Sequence, residues 1–139
     1  MGVHGGAYDP SILLSANVAS ITGGTNTVTS YTDGSGNAWR VYTFLESGNF
    51  TTDVVSKCDV LVVAGGGCGG RDNAGGGGAG GLVWVTNVIA SPGTYTVIVG
   101  AGGASNTNDN AGNGGTGDNG DNSSINISGV DTAIGGGFG

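Results

Sequence analysis

Short β-branched strands run directly into glycine at three places in this chain. They occupy residues 59–70 (DVLVVAGGGCGG), 95–103 (YTVIVGAGG) and 130–139 (VDTAIGGGFG). Of the 33 glycines, 25 stand at position 65 or later, so the enrichment belongs to one part of the chain. Because glycine loses more backbone freedom on folding than any other residue, an ordered tract must be held by many backbone hydrogen bonds. The repeats therefore predict either loose loops or a lattice of bonded amides.

The strand patterns predict an all-β protein with a small core, since no stretch has a convincing helical period and only 37% of the 139 residues are hydrophobic. Residues 94–99 alternate, with Tyr95, Val97 and Val99 on one face. Residues 60–63 are continuously apolar, which predicts a strand covered on both faces. A turn at 47–49 predicts that residues 38–45 and 50–52 form a hairpin.

Charge and composition exclude several functions. Ten acidic and three basic residues give a net charge of -7, which repels phosphate backbones and argues against nucleic acid as a partner. No apolar run is long enough to span a membrane, so we expect no membrane insertion. His4 is the only histidine and Lys57 the only lysine, so no catalytic base is apparent and we expect no enzymatic activity.

Motifs for cofactors and metals are weak. Gly65, Gly67 and Gly70 satisfy a dinucleotide-binding pattern, but glycine-rich sequence follows where a phosphate-binding helix is required, so we expect no cofactor. Cys58 and Cys68 lack zinc-ligand spacing, and whether they form a disulfide stays open. The polar run 104–122 resembles no known calcium loop, although three of its aspartates have the oxygen ligands that calcium prefers: Asp109, Asp118 and Asp121. We therefore expect no metal.

The N-terminal part differs in composition from the rest. Residues 1–32 are polar and turn-rich, and we interpret them as an arm that docks on a partner. Candidate docking side chains are Tyr8, Ile12, Leu13 and Leu14. Residues 33–139 then form one glycine-rich β domain.

The order of several short motifs resembles the glycine-rich domain of bacteriophage tail fibres and related virion appendages. The motifs are YTF at 42–44, SGNFT at 47–51, DVLVVAGGG at 59–67, the glycine run 75–81, GTYTVIVGAGG at 93–103 and NSS at 122–124. Together they extend over about residues 40–139. Members of that group commonly continue through further glycine tracts, so the stop at Gly139 predicts a domain truncated at its C-terminus.

This resemblance implies a fold and a function. It implies a small β-sandwich or jelly-roll-like body with an N-terminal arm, and glycine tracts packed side by side as three-fold, polyglycine II-like helices. It further implies that segments between the tracts contact a bacterial receptor at loop tips. The candidate tip residues are Arg71, Asp72, Asn73, Asn106, Asn108, Asp109 and Asn110.

The expected function is thus that of a structural virion protein assembled in the host cytoplasm, a tail fibre or adhesin-like appendage. Its expected partners are other virion proteins and further copies of itself, as a homotrimer, because a small core gains by burying strands against neighbours. Two alternatives remain: a capsid decoration or head-fibre protein, and a cellular extracellular fibril subunit. The host, the receptor and the position on the particle are not determined by the sequence.

Overall fold

The computed structural model describes residues 20–23, 26–70, 75–105 and 117–139. Across these residues the protein is all-β, as the sequence predicts, and contains no helix. The strands are β1 (Ser20–Thr22), β2 (Thr27–Thr32), β3 (Ala38–Thr43), β4 (Gly48–Thr52), β5 (Ser56–Val63), β6 (Leu82–Ala90), β7 (Gly93–Ile98) and β8 (Ser124–Ile125).

The strands form one four-stranded sheet and two hairpins. The sheet has the order β1-β4-β7-β8 with antiparallel neighbours, and the hairpins are β2–β3 and β5–β6. The predicted hairpin between residues 38–45 and 50–52 is wrong, because β3 pairs with β2, and β4 pairs with β1 and β7. The turn at residues 33–37 makes the local hairpin, so β4 is free to pair with strands distant in sequence.

A small apolar core joins the four-stranded sheet to the β5–β6 hairpin, which gives the body two layers. Its buried members are Phe50, Val88, Ala90, Val97 and Ile127. Phe50 has Tyr42 edge-on at a ring-centroid distance of 5.2 Å and Tyr95 stacked at 6.3 Å. Such ring pairs stabilise a core beyond the area that they bury.

The two predictions about which strand faces are buried, for residues 94–99 and for residues 60–63, have opposite outcomes. In β7 the alternation is confirmed: Val97 is buried and Tyr95 is half-buried, whereas Thr94, Thr96 and Ile98 are exposed. The prediction that residues 60–63 are covered on both faces is wrong for this chain, since Leu61 and Val63 remain 51% and 54% exposed. Only one face of the β5–β6 hairpin packs on the core.

The described part of the segment that the sequence assigned to an arm belongs to the β structure. Strand β1 pairs with β4, and β2 pairs with β3 along its whole length. The expected boundary at residue 33 falls at the turn of the β2–β3 hairpin. The candidate docking residues Tyr8, Ile12, Leu13 and Leu14 lie outside the described residues.

Asp33 organises the turn of the β2–β3 hairpin. Its carboxylate accepts hydrogen bonds from the backbone amides of Ser35 and Asn37, the Asn37 side chain and the Trp39 indole N–H, each at 2.9 Å. The indole and Asn37 bonds favour the charged form and hold the pKa of Asp33 well below its usual range. This carboxylate therefore contributes stability above its unfolded pKa near 4, and the contribution is lost as the pH falls toward the lower folded value.

We expect Asp33→Ala to loosen the β2–β3 hairpin at neutral pH, because the turn amides and the Trp39 indole lose their acceptor. Amide exchange measured by NMR should become faster in β2 and β3 and remain unchanged in β7. In the unmodified chain the Trp39 indole proton shift should stay constant as the pH falls from 7 to about 4, and change only at lower pH. Asp53→Ala, which changes an exposed bend, is the control and should leave exchange in β2 and β3 unchanged. An indole proton shift that titrates at or above pH 4 would contradict the hydrogen bond from Trp39 to a carboxylate with a lowered pKa.

Candidate functional site

Five glycine-rich tracts pack side by side beyond the ends of the strands. We number them tract 1 (residues 64–70), tract 2 (75–81), tract 3 (100–104), tract 4 (117–121) and tract 5 (134–139). None is α-helical or part of a strand, yet backbone hydrogen bonds join each tract to others. We call this assembly the glycine block.

Hydrogen bonds between tracts 1 and 2 repeat every three residues. Ala64 N–H donates to Gly81 C=O, Gly67 to Gly78, and Gly70 to Gly75, at 2.9 to 3.0 Å. Steps of three with opposite numbering mean antiparallel tracts, each with three residues per turn. That is the period of a polyproline II-type helix, which has no internal hydrogen bonds and whose amides therefore point outward. The polyglycine II-like geometry implied by the sequence resemblance is present.

Tract 1 lies at the centre and bonds to all four other tracts. The amides of Gly65 and Cys68 donate to Asp121 and Asp118 of tract 4. The carbonyls of Gly65 and Cys68 accept from Gly136 and Gly139 of tract 5, and the Gly66 carbonyl accepts from Gly103 of tract 3. Because successive residues of a three-fold helix face three directions, one tract can satisfy several neighbours at once. This network supplies the bonds that ordering so many glycines requires.

Close packing leaves no room for side chains at most interior positions. A Cβ at Gly65 would collide with the Ala101 carbonyl, one at Gly67 with the Gly137 carbonyl, and one at Gly120 with the Gly65 carbonyl. At other positions a Cβ would have space: the nearest atom is 3.6 Å away at Gly69, and none lies within 4 Å at Gly76. The glycine requirement is therefore set by backbone-to-backbone approach.

Polar side chains complete the network where backbone partners end. Asn119 Oδ1 accepts from Phe138 N–H, Asn122 Oδ1 from Gly135 N–H, and Ser123 Oγ from Gly100 N–H. The sequence patterns did not predict these roles for Asn119, Asn122 and Ser123. The one available signal was the recurrence of Asn and Ser beside glycine tracts, but the N–H groups that donate to them lie 13 to 23 residues away in the sequence.

Both cysteines are free thiols in this structure. Cys68 belongs to tract 1, and its side chain occupies the position next to Gly117, where a Cβ would come within 2.8 Å of the sulfur. Cys58 packs against the core from β5. Burial raises the pKa of the Cys58 thiol, and the charge of the adjacent Asp59 raises it further, so this thiol is held in its neutral form.

The glycine block has two distinct ends. At the body end, tracts 1 and 3 continue from β5 and β7, and tract 2 leads into β6. At the opposite end, which we call the tip end, Gly70 bonds to Gly75, Asp118 N–H donates to Ala104 C=O, and Cys68 bonds to both Asp118 and Gly139. The connections 71–74 and 105–116 therefore both begin and end at the tip end of the block.

The candidate tip residues themselves lie outside the described residues. These are Arg71, Asp72, Asn73, Asn106, Asn108, Asp109 and Asn110. Of the three aspartates considered for calcium, Asp118 and Asp121 are exposed residues of tract 4, and Asp109 is not described. Among the described residues no group of three His, Cys, Asp or Glu side chains is placed to hold a metal.

The glycines of the dinucleotide-like pattern have other partners. Gly65, Gly67 and Gly70 all lie in tract 1, and their amides donate to the carbonyls of tracts 2 and 4. A phosphate-binding loop needs such amides directed at the ligand. Here the same groups hold the block together.

An open groove lies beside the β7–β8 edge of the body. It has a volume of about 570 Å³ and is lined by hydroxyl, amide and aliphatic groups, among them Thr96, Ile98, Ser124, Asn126 and Thr132.

In the part of the chain that the structure describes, no helix could cross a membrane.

One family model matches this chain, that of a glycine-rich domain, over residues 44–139. The comparison with curated proteins found no match, and neither did the comparison with solved structures. The matched region begins just before β4 and contains all five tracts. The chain therefore belongs to the family of the glycine-rich domain.

Proposed function

We propose that this chain is a structural protein of a bacteriophage virion, a tail fibre or adhesin-like appendage. It attaches to the particle through residues 1–32 and presents the connections at the tip end to the host surface. The observation that carries this proposal is that the connections 71–74 and 105–116 begin and end at one end of the glycine block, opposite the sheets.

The architecture suits a display function. A block in which one central tract bonds to four neighbours is a stiff support, and binding residues are commonly placed on loops held by a rigid scaffold. The connections carry polar side chains such as Arg71, Asp72 and Asp109. Because backbone groups of the described tracts bond to one another, we expect the connection residues to vary without loss of the support.

Assembly of several copies, as a homotrimer, would strengthen host attachment. Linked binding sites gain affinity from their high effective concentration, so weak contacts at each tip suffice. In this proposal the virion partners bind the N-terminal segment, the bacterial receptor binds the tip, and neither contact requires nucleic acid or membrane insertion.

Removal of the tip side chains tests the display function. We expect the full chain, tetramerised on a labelled carrier, to bind cells of a susceptible bacterium. Two variants remove the tip side chains, and each should reduce binding at least about tenfold. The first combines Arg71→Gly, Asp72→Ser and Asn73→Gly. The second changes Asn106, Asn108, Asp109 and Asn110 to Ser. The melting temperature should not change, since these residues lie outside the tracts.

The control is a change of similar size at the body. Asp53→Asn with Val55→Ser alters an exposed bend before β5 and should leave cell binding unchanged. Equal loss of binding in the control, or full binding by both tip variants, would contradict a receptor role for the tip.

Antibody labelling of intact particles separates this function from its alternatives. Label at the tail would support an appendage, whereas label distributed over the capsid would support a decoration or head-fibre protein. Filaments that grow from the purified protein would instead favour an extracellular fibril subunit.

A further inference from the structure

One face of the β5–β6 hairpin is apolar and is not covered by any of the residues that the structure describes. The inward side chains of both strands pack on the core, as Val60, Val62 and Val88 do. The outward side chains form what we call the outer face, with exposed fractions between 51% and 64%: Leu61, Val63, Leu82, Trp84 and Ile89. The register places Leu61 opposite Trp84 and Val63 opposite Leu82, so these four residues form a continuous stripe; Ile89 stands opposite Lys57, beyond the irregularity at Asp59.

This patch is large for a chain with so small a core. Five large side chains, each more than half exposed, offer roughly 500 Å² of apolar surface, near the upper range for the largest patch of a typical monomer. Two copies joined through it would remove about 1,000 Å², the lower bound for a stable biological interface. The continuous apolar run of β5 predicts burial on both faces, and the single chain satisfies that prediction on one face only.

Charge at the margin of the stripe favours a second copy as the occupant. Lys57 and Asp59 stand two residues apart on β5 and are exposed on the outer face. Asp59 is fixed there by a β-bulge, where its Oδ1 accepts the Asn87 N–H at 2.9 Å and Asn87 adopts a φ of 60°. One cation beside one anion is self-complementary, because Lys57 of each copy can meet Asp59 of the next around a symmetry axis. The chain as a whole carries -7, so this neutral margin is the surface where like copies approach with little repulsion.

We infer that the outer face of the β5–β6 hairpin is the surface through which copies of this chain associate. Trp84 and Leu61 lie at the centre of the contact, and the Lys57–Asp59 pairs set its register. The inference names the contact for the assembly in the proposed function and rests on that assembly, not on any host receptor.

Sedimentation equilibrium of the full chain tests it. We expect the mass of two or three copies rather than 13.3 kDa. Leu61→Glu, which buries an unpaired charge at the centre of the contact, should weaken association at least about 100-fold. Ile98→Glu is the matched control: Ile98 is 50% exposed, against 51% for Leu61, but lies on β7, and its variant should associate like the unmodified chain. Dispersed glycine amide signals in NMR spectra of both variants would show that the block is folded.

A charge variant tests the register separately. Lys57→Glu should weaken association about tenfold at low salt and less at high salt, because it faces Asp59 of the neighbouring copy. Arg40→Glu changes the net charge equally on the β2–β3 hairpin and should have little effect. The inference would be overturned if the chain stayed monomeric at concentrations up to about 100 μM, where any contact would be weaker than about -5.5 kcal/mol. Equal weakening by Leu61→Glu and Ile98→Glu would also overturn it. Self-association without host binding would leave this inference standing and count against the proposed function.

Discussion

Gly67→Ala is expected to lower the free energy of unfolding by about 3 kcal/mol or more, at the upper end of the range for overpacking. The added Cβ would collide with the carbonyl of Gly137 and lie 2.8 Å from the Gly136 carbonyl oxygen. Both obstacles are backbone atoms, so no side chain can rotate away. Tract 1 would have to move from tract 5, and the hydrogen bonds that join them through Gly65 and Cys68 would lengthen or break.

Gly69→Ala is the matched control in the same tract. Its Cβ would make ordinary contact, with the Gly75 carbonyl oxygen nearest at 3.6 Å. Replacing glycine at a compatible position reduces the freedom of the unfolded chain, so this variant should be about 0.4–1 kcal/mol more stable than the unmodified protein. Urea unfolding of both variants measures the difference. Equal stabilities would show that the interior tracts are not packed as closely as described.

This opposite response of two neighbouring glycines distinguishes a bonded lattice from a flexible glycine loop. In a loop, alanine at position 67 and alanine at position 69 would act alike, through the unfolded state alone. In the lattice, the sign depends on whether the position faces a neighbouring backbone or open space.

Much of the fold follows from local sequence patterns. The all-β class follows from the absence of a helical period, and the burial of one face of β7 follows from the alternation of residues 94–99. The entropy of glycine reduces the glycine tracts to two alternatives, loose loops or a lattice of bonded amides, since an ordered tract requires partners for its amides. These inferences need no knowledge of long-range pairing.

Strand pairing could not be obtained in the same way. Turn residues stand at both 33–37 and 47–49, and local signals do not decide which turn closes a hairpin. The structure uses the first, where Asp33 collects four hydrogen bonds, and assigns β4 to β1 and β7. Pairing between residues 27 to 49 positions apart depends on the shared core around Phe50, to which the turns contribute little.

The arrangement of the candidate site was likewise hidden in the sequence. A run of glycines does not indicate whether it lies parallel or antiparallel to its neighbours. The sequence therefore does not show which ends of the five tracts meet. The bond from Asp118 to Ala104, together with that from Cys68 to Asp118, places two connections at one end. The side-chain caps Asn119 and Asn122 were missed for the same reason, because each bonds to an amide of tract 5, which the sequence separates from it.

Phe50→Ala is expected to lower the free energy of unfolding by about 3–5 kcal/mol. Phe50 is 6% exposed and belongs to the cluster that joins β4, β6 and β7, so its removal leaves a cavity between the two layers of the body. Tyr42 and Tyr95 would each lose a ring contact. For a domain of ordinary stability, about 5–15 kcal/mol, this is a large share, and the melting temperature should fall by more than about 10 °C.

Phe138→Ala is the control for Phe50→Ala, because it removes an aromatic ring that is not part of the core. Phe138 is 50% exposed in tract 5, and its backbone amide keeps its bond to Asn119 in the variant, so the free energy of unfolding should fall by less than about 1 kcal/mol.

Amide exchange in the Phe50→Ala variant then tests whether body and block unfold together. Tracts 1 and 3 continue directly from β5 and β7, so the Gly65 and Gly103 amides should lose protection in parallel with β7. Full protection of these glycine amides beside an unprotected β7 would contradict a cooperative unit and show that the block folds without the body.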